Sequence, residues 1–236
     1  MAILNKENTE LQEYLKKSNF KISILFIITL IFFVIYKPIS IIALIILIYN
    51  LNSKKFKLYT RGFEGENYAK NMLLNLDDSY HLFCDVTVQI NNKTSQLDTI
   101  VVGDNGVFII EVKNIKGNIT GDILDYHLKV KRKGRKGKKY YISIYNPYRE
   151  VKTHVYRLDK YLKKYDIDIS IIGLVFFKCN NSPFIQESYI NVSNSYGIIF
   201  DDPEKLLYKI KSTNSKCKFE NKNDIINKIK ILVEGK

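Results

Sequence analysis

Gln96-Leu-Asp-Thr-Ile-Val-Val-Gly-Asp-Asn-Gly-Val-Phe-Ile-Ile-Glu-Val-Lys-Asn114 reads as a β-hairpin. Two apolar, β-branched runs flank Asp104-Asn105-Gly106, and residues that tolerate positive φ are what a two-residue hairpin loop requires. Two registers follow. With Asn105-Gly106 as the loop, Asp98 lies opposite Lys113 and Ile100 opposite Glu111; with Asp104-Asn105 as the loop, Asp98 lies opposite Glu111. In both, strict alternation puts Asp98, Glu111 and Lys113 on one face. Two carboxylates and an ammonium among apolar neighbours are costly to bury unless they pair or hold a metal, so the three mark a candidate site. Glu-x-Lys alone has little value, because it also begins at Glu150, Glu220 and Glu234 in this lysine-rich chain. The copy at Glu111 differs in ending a predicted core strand with an aspartate on the partner strand. An ion pair on an edge hairpin would produce the same spacing, and from spacing alone the two readings stand level.

Outward from the hairpin, helix and strand periods alternate. Glu64 to Leu76 predicts a helix, with Ala69, Met72, Leu73 and Leu76 on its buried face. Phe83 to Ile90 predicts a strand antiparallel to the first arm, and Asn118 to Lys131 with Lys138 to Ile144 predicts a further hairpin. Pro147 suits the first position of a helix running to about Lys164, with Val151, Val155, Leu158 and Leu162 inward. Ile169 to Phe177 is almost continuously apolar, as a central strand should be. Tyr189 to Val192 and Gly197 to Phe200 suit short strands. Pro203 to Lys211 suits a helix capped by Asp201 or Asp202, and Ile225, Ile229 and Leu232 lie on a last amphipathic helix. The order predicts an α/β (α+β) fold of three layers, a mixed sheet between helices.

An Asp on one strand followed by Glu-x-Lys on the next resembles the signature of the PD-(D/E)XK nuclease superfamily. Within it the chain is similar to the NERD, or nuclease-related, domain. Gly62, Gly65 and Glu66 match that family's opening Gly-x-x-Gly-Glu helix, Leu97-Asp98 its Ile/Leu-Asp strand, and Gly106 to Asn114 its Gly-Val-Phe-x-Ile-Glu-x-Lys-Asn. Gly117 and Gly121 fall where the family has a glycine-bearing turn, and Asn146-Pro147 matches its Asn-Pro-x-x-Gln, with Glu150 in place of the Gln. The resemblance covers roughly Thr60 to Ile210. It implies a restriction-endonuclease-like mixed sheet flanked by helices.

The chain of 236 residues has room for one domain and an appendage. Ile22 to Tyr36 is apolar and uncharged, Lys37-Pro38 interrupts it, and Ile39 to Tyr49 is apolar again. A single span across both would carry lysine near a bilayer centre, at about 2.5 to 3.5 kcal/mol, whereas a turn at Lys37-Pro38 avoids that cost. The expectation is therefore a polar N-terminal segment over 1–21, a membrane helical hairpin over 22–51 and a basic linker over 52–60. A nuclease-like domain over 61–212 and a C-terminal helix over 213–236 follow. Lys16, Lys17 and Lys21 before the hairpin and Lys54, Lys55, Lys57 and Arg61 after it place both ends in the cytoplasm by the positive-inside rule, at the cell membrane. A core hairpin of a soluble protein is the weaker alternative.

Formal charge is +13, and a coding bias towards Lys, Asn and Ile would raise it without functional cause. Distribution says more. From Lys129 to Lys139, eight of eleven residues are Lys or Arg. This block reads as a mobile loop, with Lys131, Arg132, Lys133, Arg135, Lys136, Lys138 and Lys139 facing nucleic-acid phosphates or anionic lipid. Cys84, Cys179 and Cys217 form no CxxC and are odd in number, which supports neither zinc nor a disulfide framework and agrees with a reducing compartment. His154 lies four residues after Glu150 on the same helical face; its spacing suits packing better than a place in the site.

The resemblance implies a metal-dependent nuclease with Mg²⁺ (or Mn²⁺) on Asp98 and Glu111, acting on nucleic acid, DNA ahead of RNA. Lys113 would orient or deprotonate water or stabilise developing charge. Glu66 would complete the acidic cluster or hold Lys113, and Glu150 would approach from the later helix. The alternative is a catalytically inactive nucleic-acid-binding or signalling module at the membrane, for which the Gln-to-Glu departure speaks.

Overall fold

The computed structural model describes residues 1–7, 9–122, 124–134, 137–178, 190–192, 195–200, 202–213 and 222–234. Their strands are β1 (Ile3–Lys6), β2 (His81–Ile90), β3 (Lys93–Gly103), β4 (Gly106–Lys113), β5 (Asn118–Thr120), β6 (His127–Lys133), β7 (Lys139–Tyr145), β8 (Ile171–Phe177), β9 (Ile190–Val192) and β10 (Ser195–Phe200). The helices are α1 (Glu10–Ile35), α2 (Lys37–Asn52), α3 (Lys54–Leu73), α4 (Pro147–Lys163), α5 (Pro203–Ser212) and α6 (Lys222–Glu234). Two compact units result, one of residues 8–64 and one of 1–7 with 65–236.

In the larger unit a seven-stranded mixed sheet runs β1-β2-β3-β4-β8-β10-β9. The β2-β3-β4 meander is antiparallel, and β8 joins β4 in parallel through the α4 crossover. Ala69, Met72 and Leu73 of α3 and Leu206 and Ile210 of α5 pack with Leu82, Val101, Phe108, Ile110 and Phe176 on one face. Val151, Val155, Leu158 and Leu162 of α4 and Ile225, Ile226 and Ile229 of α6 pack with Ile100, Val102, Ile109 and Val175 on the other. The predicted three-layer mixed-sheet class holds, because both sheet faces are apolar and need covering.

The hairpin register is the second of the two alternatives: Gly103 pairs with Gly106 and Thr99 with Ile110, so Asp104-Asn105 is the loop. Strict alternation does not hold along β2 and β3. Phe83 and Val86 join the same core cluster, as do Leu97 and Ile100, so both strands change face around Asp85 and Asp98. Asp85 takes φ +57°, a left-handed conformation that turns the strand over at this point.

Three other expectations change. The polar N-terminal segment contributes β1, which adds in parallel to β2 with Ala2 buried in the core, before α1 begins. The basic linker is helical, since α3 begins at Lys54 rather than Glu64. The hairpin expected around the basic block forms, but β6 runs on to Lys133 instead of ending at Lys131, so the loop is shorter than expected; Leu128 and Val130 alternate with the lysines of β6 and bury against the core. β5, β6 and β7 form a separate three-stranded antiparallel sheet in which Lys129 pairs with Ser143 and Lys131 with Tyr141. Neutral partners thus keep most of the lysines from facing one another. Arg135 and Lys136 lie outside the described residues, as do Cys179, Cys217 and Asp201; Asp202 caps α5 by accepting the Glu204 N–H at 2.9 Å.

In the smaller unit α1 and α2 form a helical pair broken at Tyr36, whose extended backbone (φ −150°, ψ 93°) stands one residue before the expected Lys37-Pro38 turn. Tyr14 and Tyr59 stack with ring centroids 4.0 Å apart, so the start of α1 meets the first half of α3. Phe26, Ile27, Leu30, Ile31 and Phe33 of α1 and Ile41, Ile42, Ile45 and Ile48 of α2 are all exposed. Among the described residues no single helix is long and apolar enough to cross a membrane. Pro38–Asn52 and Lys54–Leu73, bent by 45°, pass together by length and composition.

Candidate active site

The pairing of β3 with β4 stops at Thr99 and Ile110, whereas β4 continues against β8 as far as Lys113 and Phe177. β3 and β4 therefore part at Asp98. The gap is filled by the side chain itself, since Asp98 Oδ2 accepts the Val112 N–H at 2.8 Å, a bond a continuing ladder would have given to backbone. On the facing strand Glu111 is 2% exposed. Its Oε1 accepts from Lys113 Nζ at 2.6 Å, and Lys113 Nζ lies 2.8 Å from Glu150 Oε2 in the first turn of α4.

His154, one turn further along α4, places Nδ1 3.2 Å from Glu111 Oε2. The two are within ion-pair distance but lack hydrogen-bond geometry, and both atoms are buried without a hydrogen-bond partner. His154 thus lines the site rather than merely packing. Its four-residue spacing from Glu150 was the signal for it, outweighed by the apolar residues around it.

The electrostatics separate the two carboxylates. Asp98 keeps some exposed surface, but protein surrounds its carboxyl group; that desolvation, with the charges of Glu111 and Glu66, pushes it well above the usual carboxylate range. Burial alone would also raise Glu111, but His154 and Lys113 hold it below its ordinary value. Lys113 is affected by burial in the opposite sense, and the carboxylates of Glu111, Glu150 and Asp98 outweigh that and raise it. Glu66, on α3, acts on Asp98 by charge, while Lys113 pairs with Glu111 and Glu150.

Two backbone features hold these pieces. A Cβ on Gly65 would stand 2.8 Å from Asn114 Cβ, so α3 reaches the end of β4 only because that position has no side chain. Asn146 is fully buried and caps α4: its Oδ1 accepts from Tyr148 N at 3.1 Å, and its Nδ2 donates to the Asp125 carbonyl at 2.8 Å. With Pro147 in the first turn, the Asn-Pro pair sets where α4 starts and so where Glu150 and His154 point.

Among the described residues no group of three or more His, Cys, Asp or Glu side chains is arranged to hold a metal ion. The site is a two-carboxylate pair with a clamped lysine. The family model for the nuclease-related domain, NERD, matches residues 61–178, from the Gly62-x-x-Gly65-Glu66 helix to the end of β8. The chain belongs to the NERD family. That membership is consistent with the PD-(D/E)XK superfamily and suggests a nuclease-related function. Over 82 residues the chain is 42% identical to an uncharacterized protein of Bacillus anthracis, a match covering 33% of this chain and 39% of that one. The matched region thus spans well under two thirds of the relative. No solved structure matches this NERD chain.

Proposed function

We propose that this NERD protein is a membrane-anchored, metal-dependent nuclease that hydrolyses phosphodiester bonds of nucleic acid, DNA ahead of RNA, at the cytoplasmic side of the cell membrane. The observation that carries the reading is the Asp98, Glu111 and Lys113 set, gathered where two core strands part.

The donor set fits a hard divalent cation such as Mg²⁺ or Mn²⁺. Asp98 and Glu111 repel each other, and Glu111 Oε2 is buried without a hydrogen-bond donor. Magnesium is commonly held by one or two carboxylates and several waters, so a third protein ligand is not required. When bound, the ion supplies an activated water and charge neutralisation at the phosphate. Asp98 and Glu111 would hold it. Lys113, held by Glu111 and Glu150, would orient or deprotonate the attacking water or stabilise the negative charge that develops on the phosphate. Glu150 and Glu111 fix the direction of its ammonium, and Glu66 adds negative charge beside Asp98. Lys131, Arg132, Lys133, Lys138 and Lys139, on the basic hairpin, attract the phosphate backbone.

Anchoring is supported by the exposed apolar surfaces of α1 and α2, which fall in residues 22–51. The insert leaves the larger unit after Glu7 and re-enters it at Gly65, so both its ends join the same unit, in keeping with two ends on one side. Basic residues flank it on both arms.

The test uses the full chain in detergent, with Mg²⁺ or Mn²⁺ and single- and double-stranded DNA and RNA. Asp98→Ala and Lys113→Ala are each expected to lower the cleavage rate by on the order of 100-fold or more. Wild-type cleavage by either folded variant overturns the site. Glu150 in place of the family's Gln favours a second reading, a module that binds nucleic acid without cutting it. Binding by the wild type, with no cleavage in either metal, would select that reading.

A further inference from the structure

The outward face of the β5-β6-β7 sheet has a composition that phosphate attraction alone does not explain. Alternation sends Ile119, Leu128, Val130, Ile142 and Ile144 into the core. The opposite face receives Lys129, Lys131 and Lys133 from β6, and Lys139, Tyr141, Ser143 and Tyr145 from β7. Asn118, Thr120 and His127 complete it, and no strand residue on this face is acidic.

Tyr141 is 61% exposed and Tyr145 47%, on a sheet whose other face is buried. A tyrosine ring left in water on a regular strand gains nothing for the core. Tyr141 lies directly opposite Lys131, and Tyr145 opposite His127, whose ring meets it edge-on at 5.9 Å. Each aromatic surface therefore stands beside a basic or imidazole group on the neighbouring strand. An antiparallel sheet that exposes aromatic rings between cations suits unpaired bases, which stack on the rings while the phosphates meet the lysines. A duplex offers its bases only as edges inside grooves and has no π-face to give.

We propose that this face is a platform for single-stranded nucleic acid, with Tyr141 and Tyr145 stacking bases and Lys129, Lys131 and Lys133 binding the backbone between them. The inference deepens the nuclease reading by naming its substrate class, and it rests on that reading for the outcome of binding. The connectivity suits delivery to the site. β5 begins five residues after Lys113, and β7 ends five residues before Glu150. Five residues span at most about 18 Å, so each end of the platform lies within that reach of a residue that clamps the site.

The test measures binding of 5′-fluorescein-labelled 15-mers by anisotropy, using the full chain in detergent with EDTA so that nothing is cut. Single-stranded DNA, single-stranded RNA and a duplex of the same sequence are compared at equal salt. The single strands are expected to bind at least tenfold more tightly than the duplex. Tyr141→Ala and Tyr145→Ala should each weaken single-strand binding by between about 5-fold and on the order of 100-fold, while Tyr→Phe at either position keeps it. Lys129→Gln with Lys131→Gln should reduce the slope of log K against log salt by about 1.4. Equal affinity for single strand and duplex, or unchanged affinity in both Tyr→Ala variants, overturns the platform. Capture of the protein by phosphatidylglycerol vesicles that is lost in the lysine variants, with oligonucleotide binding unmoved, overturns it in favour of a lipid surface. Failure of the cleavage reading is seen separately, as absent cutting by wild type with Mg²⁺ or Mn²⁺ while the tyrosine variants still lose single-strand binding.

Discussion

At the scale of single residues, the site stores an electrostatic conflict at Asp98. Its carboxyl group is desolvated and faces the charges of Glu111 and Glu66, so its folded-state pKa lies above the unfolded value. For an acid with a raised folded pKa, the native state binds more protons than the unfolded state between the two values. Stability is therefore full below the unfolded pKa, near 4, and falls as pH rises towards the folded one. Asp98→Asn keeps an oxygen for the Val112 N–H and removes the charge. The metal-free Asn variant is expected to melt at a higher temperature than wild type at pH 7, with the gap closing as pH falls below about 4; a variant less stable at pH 7 contradicts this. Glu150→Gln separates charge from position. Glu150 Oε2 lies 2.8 Å from Lys113 and the side chain is 34% exposed, so its ion pair is solvent-screened. An amide oxygen can take its place, and cleavage by Glu150→Gln is expected within about fivefold of wild type.

At the scale of elements, the start of α4 and the contact of α3 with β4 decide whether the groups meet. Asn146→Ala removes a helix cap and a tether to the Asp125 carbonyl, and leaves buried polar atoms unmet. A loss of about 2 to 3 kcal/mol is expected in urea unfolding. Gly65→Ala would drive a Cβ to 2.8 Å from Asn114 Cβ, which is no flexible side-chain tip. Displacement of α3 should lower stability by roughly 1 to 3 kcal/mol and reduce cleavage as well, because Glu66 rides on the same turn. A cleavage loss without a stability loss would show that the close approach is not what Gly65 provides.

At the scale of the whole molecule, the N-terminus belongs to the nuclease-like unit and not to the insert. Ala2 is buried, Ile3 N bonds the Tyr80 carbonyl at 2.8 Å, Lys70 pairs with Glu7 at 2.9 Å, and β1 covers the β2 edge. A fragment beginning at Arg61 loses that strand and exposes the edge. Compared with a chain in which a short Gly-Ser linker replaces residues 8–64, it is expected to be less stable by about 2 kcal/mol, or roughly 4 to 8 °C in Tm, and to self-associate on gel filtration. Equal melting temperatures would mean that β1 contributes little.

Local periodicity by itself determined the three-layer class, the antiparallel meander, the central β8 and the amphipathic α4, because burial imposes a period of 2 or 3.6 directly on neighbouring residues. Residues 96–114 also supplied Asp98, Glu111 and Lys113. Tertiary structure alone decided how those three meet. The hairpin admitted two registers, and the face change at Asp85 and Asp98 broke the alternation that would have related them. How far β6 runs into the basic block depended on a core for Leu128 and Val130 that lies elsewhere in the chain. The pairing of β1 with β2 and the approach of His154 to Glu111 join residues 78 and 43 positions apart. Contacts at such separations come from packing, and the local sequence carries at most a trace of them, such as the four-residue spacing of His154 from Glu150.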